Sequence, residues 1–261
     1  MTVQSPFAGQ QPPPPPPTQV PAEAQQGQFP VPVSAAPAVN PVAEGPGPGN
    51  EHVDEDRGMP QLKLLQALSP ECTPGEGNVP GAVPGVFLES RENKLLGTTV
   101  YVVNAFFRIR HTVWHENDRG QPKGSFATEV EAKACQAQHP GSDVVYTPEH
   151  FVFIMRDGEF AGPYMLVMPK SKLGANRAWN TMIRNQGHSH RYIKWWKLTS
   201  SHQASAKGSW YIFGAEEAQP GAGWVSQEHF KEAEEFVKTM TALEAQERAV
   251  PVAPGEVLPA T

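Results

Sequence analysis

The chain has little cysteine: among its 261 residues only Cys72 and Cys135 occur, in unrelated sequence contexts. Two such residues indicate neither a disulfide scaffold nor a Cys-x-x-Cys metal site. The N-terminus lacks both the basic residues and the apolar core of a signal peptide. No apolar run approaches the ~18 residues that a membrane span requires. These absences favour a protein of the reducing cytoplasm with no membrane partner.

Large apolar and basic side chains are missing from the first 50 residues, which contain no Leu, Ile, Lys or Arg. The same segment holds 14 of the 28 prolines. A segment of this composition buries too little apolar surface to offset the entropy of ordering. We therefore predict a disordered Pro-rich arm over residues 1–57, one domain over residues 58–248 and a loose tail over residues 249–261.

Charge is distributed unevenly along the chain. Residues 1–56 hold six Asp or Glu and no Lys or Arg, and residues 226–261 hold seven acids and three bases. Residues 57–225 hold 18 Lys or Arg and 14 Asp or Glu, although the whole chain has a net charge of −6. The predicted domain is thus mildly basic between two acidic ends, which is compatible with a polyanionic partner.

Strand and helix patterns alternate along the domain. Runs rich in Val, Tyr, Phe and Thr predict strands over 86–89, 98–114, 143–146, 150–156, 164–168, 191–199 and 209–213. Helical spacing and capping signals predict helices over 128–139, 172–185 and 226–248. Several short strands with few helices predict an α+β fold, built on an antiparallel OB-like β-barrel with added helices.

The most informative absence is that of Asp and Glu from residues 160–215. This stretch holds eight Lys or Arg, nine aromatic residues and four of the six tryptophans. Lys and Arg attract a phosphate backbone, and exposed aromatic faces stack on unpaired bases. A stretch that combines the two is typical of proteins that bind single-stranded nucleic acid.

Basic and aromatic side chains would alternate between the two faces of a strand over 191–199. The same mixture recurs on the earlier strand, so two strand faces would form one groove. The charged residues predicted to contact nucleic acid are Arg108, Arg110, Lys170, Lys172, Arg177, Arg184, Arg191, Lys194, Lys197 and Lys207. The aromatic residues predicted to stack on bases are Trp114, Tyr192, Trp195 and Trp196.

A core position is the ordinary alternative for each tryptophan of a domain this size. Trp179 and Trp210 fit that alternative best. Trp195 and Trp196 are adjacent on the predicted strand, so we expect that they do not both face inward.

No catalytic signature is present. The sequence GHSHR at 187–191 lacks the closing glycine of a serine elbow, and GQPKGS at 120–125 lacks the Walker A spacing. The chain is therefore predicted to be no enzyme and to need no cofactor or metal. A metal nuclease built from Asp143, Glu149, Asp157 and Glu159 remains an open alternative.

Three segments carry a resemblance to a known family: MPQLKLLQALSPE (59–71), KSKLGANRAWNTMI (170–183) and KGSWYIF (207–213). They resemble single-stranded-DNA-binding proteins of tailed bacteriophages, of OB type, over about residues 59–240. The resemblance implies a protein of phage replication or recombination that coats single-stranded DNA without sequence preference, in the host cytoplasm.

Proteins of that class often end in an acidic tail that recruits replication partners. Here the acidic cluster lies instead at residues 51–56, within the N-terminal arm. The arm is therefore the predicted contact for replication or recombination proteins. A virion structural or assembly protein is the main alternative, followed by a metal-dependent enzyme that processes nucleic acid.

Overall fold

The computed structural model describes residues 58–115, 122–206, 208–219 and 223–249. The predicted disordered arm and its partner-binding role lie outside the described residues. So do Lys207 and, from residue 250 onward, the predicted tail.

Nine strands are found in the part of the chain that the structure describes. They are β1 (Leu62–Leu64), β2 (Phe87–Glu89), β3 (Lys94–Gly97), β4 (Thr99–His115), β5 (Gly124–Phe126), β6 (Ser142–Arg156), β7 (Glu159–Val167), β8 (Trp195–Ser205) and β9 (Gly208–Glu217). A small sheet has the order β1-β2-β3, and a large sheet has the order β7-β6-β4-β8-β9 with β5 paired to β4. All of these strand pairs are antiparallel.

The three predicted helices are confirmed. They are α1 (Glu129–Gln138), α2 (Leu173–Asn185) and α3 (Gln227–Ala249). The Thr128 side chain accepts a hydrogen bond from the backbone nitrogen of Glu131, whose own side chain caps the Thr128 backbone. This reciprocal capping box is the signal on which the sequence-based start of α1 depended.

The α+β class is confirmed, but the predicted barrel is wrong. Closure would require the two edge strands to meet, and β7 and β9 lie at opposite ends of the strand order among the described residues. The physical reason is that both faces of the large sheet carry apolar side chains and both are covered. A barrel would instead turn one face inward and expose the other.

One face of the large sheet packs against α2 and the small sheet. Its buried side chains include Val152, Ile154 and Trp196, which meet Trp179 of α2 and Phe87 of the small sheet. Alternate residues of the same strands point to the opposite face, so this cluster contains one set of each strand's side chains.

The other face packs against α3. Val103 and Phe153 are buried there against Ala233, and Phe236 and Val237 of α3 pack on the same cluster. The sheet is therefore a middle layer between two helices.

Candidate nucleic-acid interface

The predicted strand over 191–199 begins later than expected, because β8 starts at Trp195. Trp196 is fully buried, and its ring meets that of Trp179 edge-on at a centroid distance of 6.2 Å. Trp195 points to the opposite face, where its ring lies 5.7 Å from that of Phe160. The expectation that the two tryptophans do not both face inward is wrong, since helices cover both faces of the sheet.

Two of the four predicted stacking residues are therefore core residues in this structure. Besides Trp196, Tyr192 is only 4% exposed and packs its ring 5.0 Å from that of Phe230 on α3. Trp195 is half-buried, and Trp114 is exposed at the far end of β4. Tyr192 and Trp196 cannot reach a base without opening the core.

Lys194 and Lys197 of the predicted strand 191–199 are neutralised by acids of β9. Lys194 lies 3.1 Å from a carboxylate oxygen of Glu217, and Lys197 lies 2.8 Å from one of Glu216. These two glutamates come directly after the acid-free stretch 160–215. The antiparallel register of β8 and β9 brings them back to its lysines, so the absence of acids along the chain is not an absence in space.

The arginines of β4 are also paired. Arg108 donates to Glu149 of β6 at 2.7 Å, and Arg110 forms an ion pair with Glu247 of α3. Both line a groove of about 460 Å³ between β4 and α3. Because β8 pairs only with residues 99–103 of β4, the structure does not bring the two predicted strand faces into one groove.

The exposed cations on α2 and in the turn before it are different, since no described acid forms an ion pair with them. Lys170, Arg177 and Arg184 are exposed, and none of the three forms an ion pair with a described residue. Arg177 and Arg184 are two helical turns apart, so they lie on one side of α2 about 10 Å from each other along its axis.

Lys172, at the start of α2, is partly buried. Burial lowers the pKa of its ammonium group below the ordinary value. No carboxylate of the described residues pairs with it. It adds a further positive charge at the N-terminal end of this helix.

Trp224 was missed by the sequence analysis. It is 51% exposed, its ring lies 5.2 Å from that of His188 just after α2, and the Lys194 ammonium lies 5.0 Å from the ring centroid. The available signal was a tryptophan that follows a glycine in the Gly/Pro-rich sequence 219–224. It fell outside the acid-free stretch and was therefore not considered.

The name "α2 surface" is used below for Lys170, Arg177, Arg184, His188 and Trp224. Exposed cations follow this helix, and an exposed indole lies at its C-terminal end. Glu217 contacts Gln186 just after α2, and it accepts hydrogen bonds from Gln186 and Lys194. The α2 surface thus offers a phosphate backbone unpaired positive charge and offers a base one stacking platform.

The four carboxylates of the metal-nuclease alternative do not gather into one cluster. Glu149 is paired with Arg108, and Asp157 forms an ion pair with Lys94. Across residues 58–249, where they are described, no group of three or more His, Cys, Asp or Glu is arranged to hold a metal ion. Among the same residues, no helix combines the length and apolar character that crossing a membrane would need.

Comparison with protein-family models identifies a family. Searches of curated proteins and of solved structures found nothing similar. A family model described as "Pam3 phage gp34-like protein" matches residues 29–246, which is most of the chain. The expectation of a phage protein is thereby confirmed, and the chain belongs to the Pam3 phage gp34-like protein family.

Proposed function

We propose that this phage protein binds single-stranded DNA through the α2 surface, without strong sequence preference. The observation that carries the proposal is the row of exposed cations on Lys170, Arg177 and Arg184, which no described carboxylate neutralises. By contrast, each cation on the predicted strands 98–114 and 191–199 has an acidic partner or is partly buried. These contacts support a binding surface on α2 rather than on the strands.

Exposed, unpaired cations favour a polyanion because binding releases the counterions condensed on the phosphates. Trp224 adds a flat apolar face that every base can stack on, and stacking of this kind is tolerant of sequence. A double helix hides its base faces, so the exposed indole favours single strands. Base-edge recognition is not needed for this mode of binding.

The resemblance of three segments to phage single-stranded-DNA-binding proteins supports the same proposal. One of them, residues 170–183, contains most of α2 and two exposed cations of the α2 surface, Lys170 and Arg177. The role we propose is coating of single strands during phage replication or recombination in the host cytoplasm. The resemblance also implies an OB barrel, which the open strand order of the large sheet does not support.

The test is a titration of the protein's tryptophan fluorescence with oligo-dT at low and high salt. The expected result is saturable quenching at low salt that weakens as salt rises. Trp224→Phe should remove most of the quenching, because Trp179 and Trp196 are buried. Absence of quenching, together with no shift on a native gel, would contradict the proposal and favour a virion structural or assembly protein.

A further inference from the structure

Arg191 is a partly buried cation whose hydrogen-bond partners are all neutral. Its Nε donates to Asn104 Oδ1 at 3.1 Å, and its Nη2 donates to Asn180 Oδ1 at 2.9 Å. Its guanidinium carbon lies 5.2 Å from the centre of the Phe107 ring. Among the residues that the structure describes, no carboxylate forms an ion pair with it.

The two asparagines belong to a closed ring of hydrogen bonds. Asn104 Nδ2 lies 2.8 Å from His150 Nδ1, and His150 Nε2 lies 2.8 Å from Asn176 Oδ1. Asn180 Nδ2 donates to the same Asn176 oxygen at 2.9 Å, and Arg191 closes the ring. The five residues come from β4, β6, α2 and the segment before β8, so the ring fixes the guanidinium relative to the sheet.

The ring contains only one charge. Because Asn104 donates to Nδ1, the Nε2 atom of His150 carries the proton that Asn176 accepts, which describes a neutral imidazole. Burial, reinforced by the charge of Arg191, lowers the pKa of His150 to about 3. Burial likewise lowers the pKa of Arg191 to about 10. The positive charge of the guanidinium is therefore unbalanced within its own surroundings.

Cations withdrawn from water are normally paired with an anion. A guanidinium has five N–H donors, and the ring occupies two of them. The nitrogen Nη1 has no partner among the described residues, and Arg191 is still partly exposed. The guanidinium is therefore already oriented, it keeps unused N–H donors, and it belongs to a residue that is not fully enclosed.

We propose that Arg191, held by Asn104 and Asn180, is a preorganised binding site for a phosphate group. Guanidinium groups pair bidentately with phosphates as well as carboxylates. Phosphate is favoured because Arg191 belongs to the acid-free stretch 160–215, whose exposed cations attract a polyanion. The phosphate belongs either to a DNA strand or to a free nucleotide. The first version of the proposal rests on the proposed function, and the second does not.

Thymidine 5′-monophosphate is the first probe, with thymidine as the control that lacks only the phosphate. Calorimetric titration of the full chain at constant ionic strength should show binding of the nucleotide and none of thymidine. Sodium acetate at equal ionic strength tests the carboxylate alternative. If the nucleotide binds no better than thymidine, or if acetate competes equally with it, the proposal is wrong, whatever oligo-dT does.

Asn180→Asp is the sharpest variant because it is nearly isosteric and places a carboxylate against Arg191 Nη2. The neutralised guanidinium should bind the nucleotide at least about 10-fold more weakly. Arg191→Lys keeps the charge but loses the planar fork, and it should weaken binding in the same direction. Near-UV circular dichroism checks that each variant is folded.

The same variants are then titrated with oligo-dT beside Arg177→Ala/Arg184→Ala. If Asn180→Asp weakens the binding of both ligands, the phosphate at Arg191 belongs to a DNA strand. If Asn180→Asp weakens only the binding of the nucleotide, Arg191 binds a free nucleotide. Unchanged nucleotide affinity in folded Asn180→Asp would overturn the site. A different outcome would separate the two proposals: Arg177→Ala/Arg184→Ala loses affinity for oligo-dT, whereas Asn180→Asp binds both ligands with normal affinity. In that case the proposed function would stand and this inference would fail.

Discussion

The helices α2 and α3 cover opposite faces of one sheet, and they differ in charge. Residues 173–185 contain two arginines and no acid, whereas residues 227–249 contain six glutamates and three Lys or Arg. On α3, Lys238 lies within 3.3 Å of Glu234 and 2.9 Å of Glu235, and Glu247 pairs with Arg110. On α2 no such pair is found among the described residues.

This difference separates two uses of positive charge. Lys238 on α3 balances glutamates of its own helix, and Lys194 and Lys197 balance glutamates of β9. Exposed pairs of this kind contribute little stability. Arg177 and Arg184 of α2 form no ion pair with a described residue, so within that part of the chain their charge is available to an external anion. Substitutions on α3 can therefore serve as controls for the corresponding substitutions on α2.

The largest expected effect is on stability. Trp179 of α2 is fully buried against the sheet, and its ring is stacked on that of His150 at 4.8 Å. Phe236, the corresponding aromatic residue of α3, is only partly buried. Trp179→Ala should lower the free energy of unfolding by about 3–5 kcal/mol, and Phe236→Ala should lower it less. Urea unfolding measures both, and equal losses would contradict the ranking.

The second prediction concerns charge reversal on the two helices. Arg177→Glu/Arg184→Glu on α2 should weaken binding of labelled oligo-dT by about 10- to 100-fold at low salt and reduce the salt dependence. The matched control is Lys231→Glu/Lys238→Glu on α3, which changes the net charge equally at the same spacing of seven residues.

Fluorescence anisotropy measures both affinities. The control should lose several-fold less affinity than the α2 variant, because only the long-range repulsion is shared. Equal losses would show that net charge rather than the α2 surface determines binding.

The third prediction compares two exposed tryptophans. Trp224 at the end of α2 is 51% exposed, and Trp114 at the far end of β4 is 36% exposed. Trp224→Ala should weaken oligo-dT binding by about 1 kcal/mol, at the low end of the range for base stacking. Trp114→Ala should leave the affinity nearly unchanged. If instead Trp114→Ala weakens binding and Trp224→Ala does not, the interface lies on β4.

The smallest expected effect is a pH dependence of stability on the α2 side of the sheet. The pKa of His150 is lowered from 6.5 to about 3 in the folded protein, so the unfolded chain binds more protons between these values. Stability is therefore complete above pH 6.5 and is lost as the pH falls below it. From about pH 7.5 to about pH 6 this group should cost somewhat under 1 kcal/mol.

His150→Gln should flatten that dependence without abolishing the hydrogen-bonding capacity of the position. Urea unfolding at several pH values measures the slope. A slope in the variant as steep as in the original protein would show that another group causes it.

Local signals were sufficient to predict the helices and the antiparallel α+β class. The capping box at Thr128 and the apolar spacing of α3 each involve residues that are close together in the chain, so both helices can be predicted from the sequence. The number of layers did not follow from the sequence. A second covered face explains why Trp195 is half-buried although it points away from the fully buried Trp196. The covering of a face depends on helices distant in the chain.

The interface could be predicted only in part for the same reason. The exposed cations of α2 lay among the predicted contacts, because residues 160–215 carry no acid. The neutralising glutamates at 216 and 217 depend on the register of β8 and β9. The ring around Arg191 joins residues as far apart as 104 and 191, which no local pattern can bring together.

The most direct test of the central claim is to map where a single strand touches the protein. Ultraviolet cross-linking of oligo-dT to the full chain, followed by mass spectrometry of the peptides, reports the contacted segments. The account predicts cross-links within residues 170–190 and at Trp224, reduced by high salt and by Arg177→Glu/Arg184→Glu. Cross-links confined to α3 or to residues 108–114 of β4 would contradict it.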